Sequence, residues 1–411
     1  MARLEPVPLP DLPPTRVVID LRPLQEPERM PITAEYLGRL TQAFAADPLP
    51  GESFVTIART MRADPSQQLE QQGLAVEGRR LLPPTGKVLR SAGLTLDSFL
   101  LRGAEVGTRG AVYHSAGGAT PLASRLPLVA TVLDLAPWEL PNVYAATPAA
   151  RFGHRLRARI LQDAARLIVC SRATGDAARR LLHVPEARVA VVPLAVDDDF
   201  REAGRDRAMQ AALRRRFGLP ERYLVFGGRY DARKDMATFL AALSSAGAGA
   251  EDGPFVALAG RYDASSDQAA LQRAVDRARA TSRAVVLPDL SRTELAALVG
   301  GATGFVYPAL SEATGLPVLE ALSVGVPVIC SRAGALPEQV GGAGVIVEPR
   351  DPRRMASAID ALWAGGPLAE QIRGAARRRA EADERRWRDV ARETRQVYAD
   401  AARASVKSPP T

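Results

Sequence analysis

The chain has 411 residues, of which 46% are hydrophobic, 24% charged and 5% aromatic, with a formal net charge of +8. That length accommodates two domains, each with a full core, and no apolar run approaches the roughly 20 residues that a membrane helix needs. The positive charge would suit nucleic acid, a membrane surface or acidic substrates, but the basic residues are spread along the chain with few aromatics between them, so nucleic acid is not expected as a partner.

Residues 1–15, MARLEPVPLPDLPPT, are Pro-rich without an apolar core. They read as a flexible leader, neither a secretory signal nor an anchor, and a cytoplasmic location follows by default. Arg16–Leu21 is the first candidate strand, and Thr33–Ala46 a candidate amphipathic helix with Leu37, Leu40 and Phe44 on one face. Short apolar runs then recur at Phe54–Ala58, Ala111–Ser115, Leu128–Leu135, Leu167–Ser171 and Val189–Val196. Such Val- and Ile-rich runs between helix-like spans mark a doubly wound parallel sheet. The segment Arg151–Arg166 within this half is a basic helix candidate. Its ordinary reading is a solvated helix with Leu156 and Ile160 on the core; peripheral contact with anionic lipid is the alternative.

The Arg-rich stretch 201–220 reads as a linker, after which the pattern restarts at Tyr223–Arg229, Phe255–Gly260, Ala284–Pro288, Gly304–Pro308, Pro327–Ser331 and Gly344–Pro349. Helices are expected between them, at Met236–Leu243 and Leu271–Arg279. The tail Ala376–Ala404 reads as one long charged helix, with Trp387, Val390, Ala391, Thr394, Val397 and Tyr398 at helical spacing. The division expected is therefore an N-terminal Rossmann-like domain over 16–200, a second over 221–380, and a terminal helix over 381–404. Cys170 and Cys330 each sit in an apolar run and read as small core residues.

The most informative stretch is Tyr307–Val340, YPALSEATGLPVLEALSVGVPVICSRAGALPEQV. It reads as a strand ending at Pro308, a loop with Glu312 and Gly315, a helix opening at Pro317 with Glu320 in its first turn, and a second strand from Val326 to Cys330. Free N–H groups and the positive helix end make such a loop an anion site. Two carboxylates there make sense if they face hydroxyls while a diphosphate takes the helix N-terminus. Acids favoured in a first helical turn are the plainer explanation of either one alone.

Two glutamates eight positions apart around a G-L-P-V-L-E core resemble the donor-site signature of the retaining glycosyltransferases of GT-B fold, the group 1, mannosyltransferase-like family. The resemblance implies two Rossmann-like domains facing a cleft, with the C-terminal helix crossing back onto the first. It implies a hexosyl unit, mannosyl among the candidates, moved from a nucleoside-diphosphate sugar to a glycan or lipid-linked acceptor, with no cofactor and no metal. Gly227–Lys234, GGRYDARK, resembles the family segment that contacts the donor diphosphate. Only three residues are lysine (Lys87, Lys234, Lys407) among 54 Lys plus Arg, yet a lysine stands at that motif position.

The resemblance assigns catalytic parts to Glu312, which would hold the sugar and steady the oxocarbenium charge, and to Arg229 and Lys234, which would neutralise the leaving diphosphate. Glu320 would hold the ribose, and Gly228, Thr314, Gly315, Leu316 and Asp134 complete the donor-binding set; Arg233 faces phosphate or water. A divalent ion on Asp197 and Asp199 is the alternative to metal independence. The chain departs from the family twice: Pro23–Thr33 lacks the usual glycines, and Leu133 stands where relatives carry a histidine. His114 either faces the cleft in its place or is structural. Ser171–Thr174 resembles an S-x-x-T turn of relatives, in which Arg172 either reaches phosphate or only starts a helix. These departures motivate the competing reading, a GT-B-like nucleotide-sugar-binding or scaffold protein with impaired turnover.

Overall fold

The computed structural model describes residues 12–60, 62–82, 111–117, 120–121, 124–247, 253–262, 273, 276 and 283–406. Most of the expected leader and the expected helix Leu271–Arg279 lie outside them. The chain forms two compact units, Met1–Leu194 with Trp387–Thr411, and Ala195–Arg386.

The first unit is built on a seven-stranded parallel sheet. In chain order its strands are β1 (Arg16–Asp20), β2 (Ser53–Arg59), β3 (Val76–Leu82), β4 (Ala111–Ala116), β5 (Leu128–Val132), β6 (Arg166–Val169) and β7 (Val189–Val191), arranged as β3-β2-β1-β4-β5-β6-β7. The second unit holds a six-stranded parallel sheet of β8 (Leu224–Tyr230), β9 (Val256–Tyr262), β10 (Ala284–Val286), β11 (Gly304–Tyr307), β12 (Val328–Ser331) and β13 (Gly344–Val347), in the order β10-β9-β8-β11-β12-β13. Helices cover both faces, which is why the central strands are mostly apolar and buried along their length rather than alternating. In each sheet the strand order reverses once, between β1 and β4 and between β8 and β11. A crevice opens at such a switch point, at the carboxyl ends of the strands.

β3, VEGRRLL, has no counterpart among the expected strands. It lies at the sheet edge beside β2, and only Leu82 of its seven residues is buried. The expected linker at 201–220 is instead helical. Asp198–Arg205 and Arg207–Phe217 are helices of the second unit that bury Phe200, Ala203 and Leu213. The first of them meets helix Arg292–Gly300 so closely that a Cβ on Gly300 would lie 1.8 Å from the Gly204 carbonyl oxygen.

The tail is two helices, not one. Pro367–Glu381 belongs to the second unit and Trp387–Val406 to the first. Between them, buried Arg201 bonds the Asp383 carboxylate at 2.8 Å and the Arg385 carbonyl at 3.1 Å, fixing the chain in a non-helical turn. Helix Trp387–Val406 buries Val390, Ala391, Val397, Tyr398 and Ala401 in the first unit. Its Arg395 is paired with Glu52 through Nε at 2.9 Å and a terminal nitrogen at 2.7 Å, both side chains being almost fully buried. Tyr398 OH bonds His114 Nδ1 at 2.7 Å, His114 Nε2 bonds Thr131 Oγ1 at 2.9 Å, and Tyr36 OH reaches the same hydroxyl at 3.3 Å. Burial pushes the His114 pKa from 6.5 down to about 3, with Asp20 opposing, so the imidazole is neutral.

Two outcomes follow. Arg395→Ala leaves Glu52 charged and unpaired in the interior, a loss of about 3–5 kcal/mol; urea unfolding reads it, and the double variant Glu52→Gln/Arg395→Met recovers most of it. His114 is protonated in the unfolded chain below pH 6.5 but resists protonation when folded. Its contribution is therefore complete above pH 6.5 and declines as pH falls towards 3. His114→Gln flattens that part of the stability–pH curve.

Candidate active site in the second unit

The switch point between β8 and β11 places two loops side by side: the turn after β8 carrying Asp231 to Lys234, and Pro308 to Gly315 after β11. Backbone bonds stitch them, Leu310 N–H donating to the Arg233 carbonyl at 2.7 Å and Asp235 N–H to that of Pro308 at 3.4 Å. Asp231 shapes the first loop by accepting the Arg233 N–H at 3.0 Å and gripping the Arg233 guanidinium. Arg233 is thereby folded onto its own loop and partly buried.

Glu312 is the centre of the second loop. Its Oε1 accepts Thr314 Oγ1–H at 3.0 Å, Gly315 N–H at 3.0 Å and Thr314 N–H at 3.3 Å. Its Oε2 accepts Lys234 Nζ at 2.7 Å and Tyr307 O–H at 2.9 Å. Burial pushes the carboxyl pKa up, but the Lys234 charge and hydrogen bond, the Gly315 N–H and the Arg233 charge outweigh it and hold the group well below 4.5. The pair therefore keeps its charge above pH 4.5 and is lost only as pH falls beyond that.

The Gly315 N–H, assigned to a diphosphate, is taken by the protein's own carboxylate, and Glu312 has both oxygens engaged where a sugar contact was expected. The Leu316 N–H, by contrast, has no acceptor among the described residues. Glu320 also stands just past the first turn of helix Leu316–Ser323 rather than within it.

The local backbone enforces this arrangement. Gly315 has φ +62, and a Cβ there would lie 1.9 Å from Gln339 Oε1. Gly334 has φ +47, and a Cβ there would lie 2.0 Å from the Glu312 carbonyl oxygen, which accepts Ala335 N–H at 2.9 Å. Lys234 Nζ also bonds Tyr307 OH at 2.5 Å. An ammonium has three N–H groups; two are committed, the ammonium also lies 4.1 Å from the Tyr307 ring centroid, and no third hydrogen bond is made among the described residues. Gly228, φ +140, and half-buried Arg229 complete the end of β8.

Glu320 is buried on helix Leu316–Ser323, and its Oε1 accepts from Arg292 at 2.6 Å. The same guanidinium bonds Asp197 Oδ2 through two nitrogens at 2.9 and 3.2 Å. Sequence reasoning missed Arg292. The available signal was its position: it begins a helix behind the S-x-x-E capping box of Ser291 and Glu294. The ion alternative for Asp197 and Asp199 meets a cation already seated on Asp197, while Asp199 is exposed.

The remaining candidates belong to the first unit. Asp134 follows β5 and accepts the Ala136 N–H at 2.9 Å, closing a turn before helix Ala136–Glu139. Leu133 is buried. His114 is enclosed by Tyr398 and Thr131, which makes it a structural residue. Ser171 caps helix Arg172–Leu182 by accepting Thr174 N–H at 3.0 Å, so the S-x-x-T turn is a helix start with exposed Arg172 at its first position. Helix Pro148–Asp163 turns Ile160 and Leu161 to the core and leaves Phe152 exposed. Among the described residues no helix is long and apolar enough to cross a membrane.

Comparison with known proteins gives these features a context. Residues 210–379 match the family "Glycosyl transferases group 1", and residues 55–200 match "Glycosyltransferase Family 4". A D-inositol 3-phosphate glycosyltransferase of Mycobacterium bovis is 34% identical over 236 residues, 54% of this chain and 46% of that protein. The O-antigen chain mannosyltransferase B of Escherichia coli is 52% identical over 58 residues, 14% of this chain and 15% of that protein. The chain thus spans less than half the length of these relatives. The UDP-forming α,α-trehalose-phosphate synthase of Burkholderia vietnamiensis superposes with a TM-score of 0.67 at 16% identity, covering 96% of this chain and 100% of that one. That likeness shows the GT-B fold.

The loop geometry can be tested through Gly334. Gly334→Ala inserts a methyl against the Glu312 carbonyl, moves the loop and separates Glu312 from Lys234. The expected result is a native circular dichroism spectrum with nucleotide affinity reduced at least tenfold; unchanged affinity would mean that the site does not depend on this approach.

Proposed function

We infer that this chain, which carries a group 1 glycosyltransferase domain over residues 210–379, transfers a hexosyl unit from a nucleoside-diphosphate sugar to a hydroxyl of a glycan or lipid-linked acceptor, with retention at the anomeric carbon. One observation carries the reading: two segments 78 residues apart meet at the sheet's switch point, where Lys234 is held by Glu312 and Tyr307 with one ammonium N–H still to give. Beside it, the uncommitted Leu316 N–H lies at a helix N-terminus. A departing diphosphate is the group that such donors stabilise.

In this reading Lys234 and Arg229 neutralise the charge that builds on the leaving diphosphate. Glu320, steadied by Arg292, accepts from the ribose hydroxyls. Glu312 acts through Lys234, fixing the ammonium and the loop rather than gripping the sugar, and so is a positioning residue. Lys234, Arg229 and the helix end supply the positive charge that a metal would otherwise bring, and the nucleotide sugar is the one small molecule the site requires. Mannose is the donor sugar favoured by the short 52% identical segment shared with the mannosyltransferase. A cytoplasmic protein, in peripheral contact with the membrane where the acceptor is lipid-linked, fits these substrates.

A binding role without turnover is favoured by one observation, the buried Leu133 at the position where relatives carry histidine. Purified protein offered GDP-mannose, UDP-glucose and related donors separates the two. Transfer or donor hydrolysis is expected, with kcat/KM lowered about 10²–10³-fold in Lys234→Ala and a raised donor KM in Glu320→Ala. The product's anomeric configuration, read by NMR, is expected to match the donor's. Tight nucleotide binding with no turnover on any acceptor would overturn the transferase reading, and an inverted product would overturn retention.

A further inference from the structure

The second unit contains a cavity at the edge opposite its candidate active site. It has a volume of about 430 Å³ and is lined by Arg222, Thr303, Pro327, Gly365, Arg373 and Arg377 together with small residues. Arg222, Thr303 and Pro327 precede β8, β11 and β12, so this is the amino edge of the sheet, whereas Lys234 and Glu312 follow the carboxyl ends of β8 and β11. β8 has seven residues, and at about 3.3 Å per residue its ends lie about 20 Å apart. The cavity is thus a separate place, and its volume falls in the roughly 300–1,000 Å³ range of small-molecule sites.

Its charge is one-sided. Three arginines line it and no carboxylate does. Two of them are held in place: Arg222 stacks on the Trp363 ring at 4.5 Å and donates to the Trp363 carbonyl, and Arg373 donates to the Leu362 carbonyl at 2.9 Å and to Glu370 at 2.8 Å. These bonds use part of each guanidinium's five N–H groups and remove much of the ordering entropy that binding would otherwise require. Arg377, one turn along from Arg373 on helix Pro367–Glu381, has no acidic partner among the described residues. The same helix starts at Gly366 without a capping side chain, next to Gly365 of the cavity wall, and the one acid of its first turn, Glu370, is engaged by Arg373. Arginine forks match the geometry of phosphate oxygens.

We propose that this cavity is a second anion site, one that binds a small phosphate-bearing molecule independently of the donor site. The probes are inorganic phosphate, pyrophosphate and a hexose phosphate, titrated calorimetrically into the Lys234→Ala protein so that the donor site contributes little, with chloride at equal ionic strength as control. Saturable binding of at least one phosphate probe is expected, weakened tenfold or more in Lys234→Ala/Arg377→Glu and likewise in Lys234→Ala/Arg222→Glu. Arg377 and Arg222 are exposed, so these variants keep the fold, which circular dichroism verifies. Absence of saturable binding, or equal affinity in the glutamate variants, would overturn the proposal. Because the readout is binding in a protein with a disabled donor site, failure of the transferase reading leaves this result standing, and the reverse holds too.

Discussion

The second unit is organised around a buried ion pair, Lys234 with Glu312. Removing two such charges from water costs several kcal/mol per ion, and their attraction offsets that only when every remaining polar valence is filled. Here five donors surround one carboxylate, and the ammonium has a phenol as well as the acid. The oddities of the loop follow from that requirement. Gly315 takes positive φ so that its N–H can reach Oε1. Gly334 lacks a side chain because the Glu312 carbonyl presses against it. Gln339 lies over the space where a Cβ on Gly315 would be and donates to the Thr314 carbonyl.

The two glutamates of the signature consequently have different physical situations. Glu312 is saturated and shielded by a charge within its own sheet edge. Glu320 shares a half-exposed arginine with Asp197, and its Oε1 is fixed by that guanidinium. The first unit presents the contrasting case: its buried His114, Thr131, Tyr36 and Tyr398 form a neutral network in which burial pushes the imidazole down and both phenols up, with no charge to present to a ligand.

Much of the architecture was legible in the sequence because strands buried on both faces are predominantly apolar. Most of the central strands lie within the Val- and Ile-rich runs. β3 was not legible, since an edge strand with one buried residue reads as polar loop. The Arg-rich helices at 198–217 looked like a linker because their buried side is narrow, Phe200, Ala203 and Leu213, and their tightest contact is made by Gly204, which carries no hydrophobic signal. The break in the tail was hidden because its cause, Arg201, lies 182 residues from Asp383. At the site, the residues were legible but their bonds were not: motif spacing brings Lys234 and Glu312 into one region, yet nothing in it says that the carboxylate would face the lysine rather than a sugar.

The use of lysine at position 234, in a chain with 51 arginines, has a steric and electrostatic reason. The cation must enter a site where its side chain is only 4% exposed and meet one phenol and one carboxylate oxygen at 2.5 and 2.7 Å. A guanidinium has five donors in a rigid plane, and two or three of them would be buried here without acceptors, a penalty of about 1–3 kcal/mol each. An ammonium is a compact charge with three donors that rotate to suit. Two are satisfied by the protein and one remains, which is the number a site needs if the cation is to be locked in place and still deliver a hydrogen bond to something that arrives.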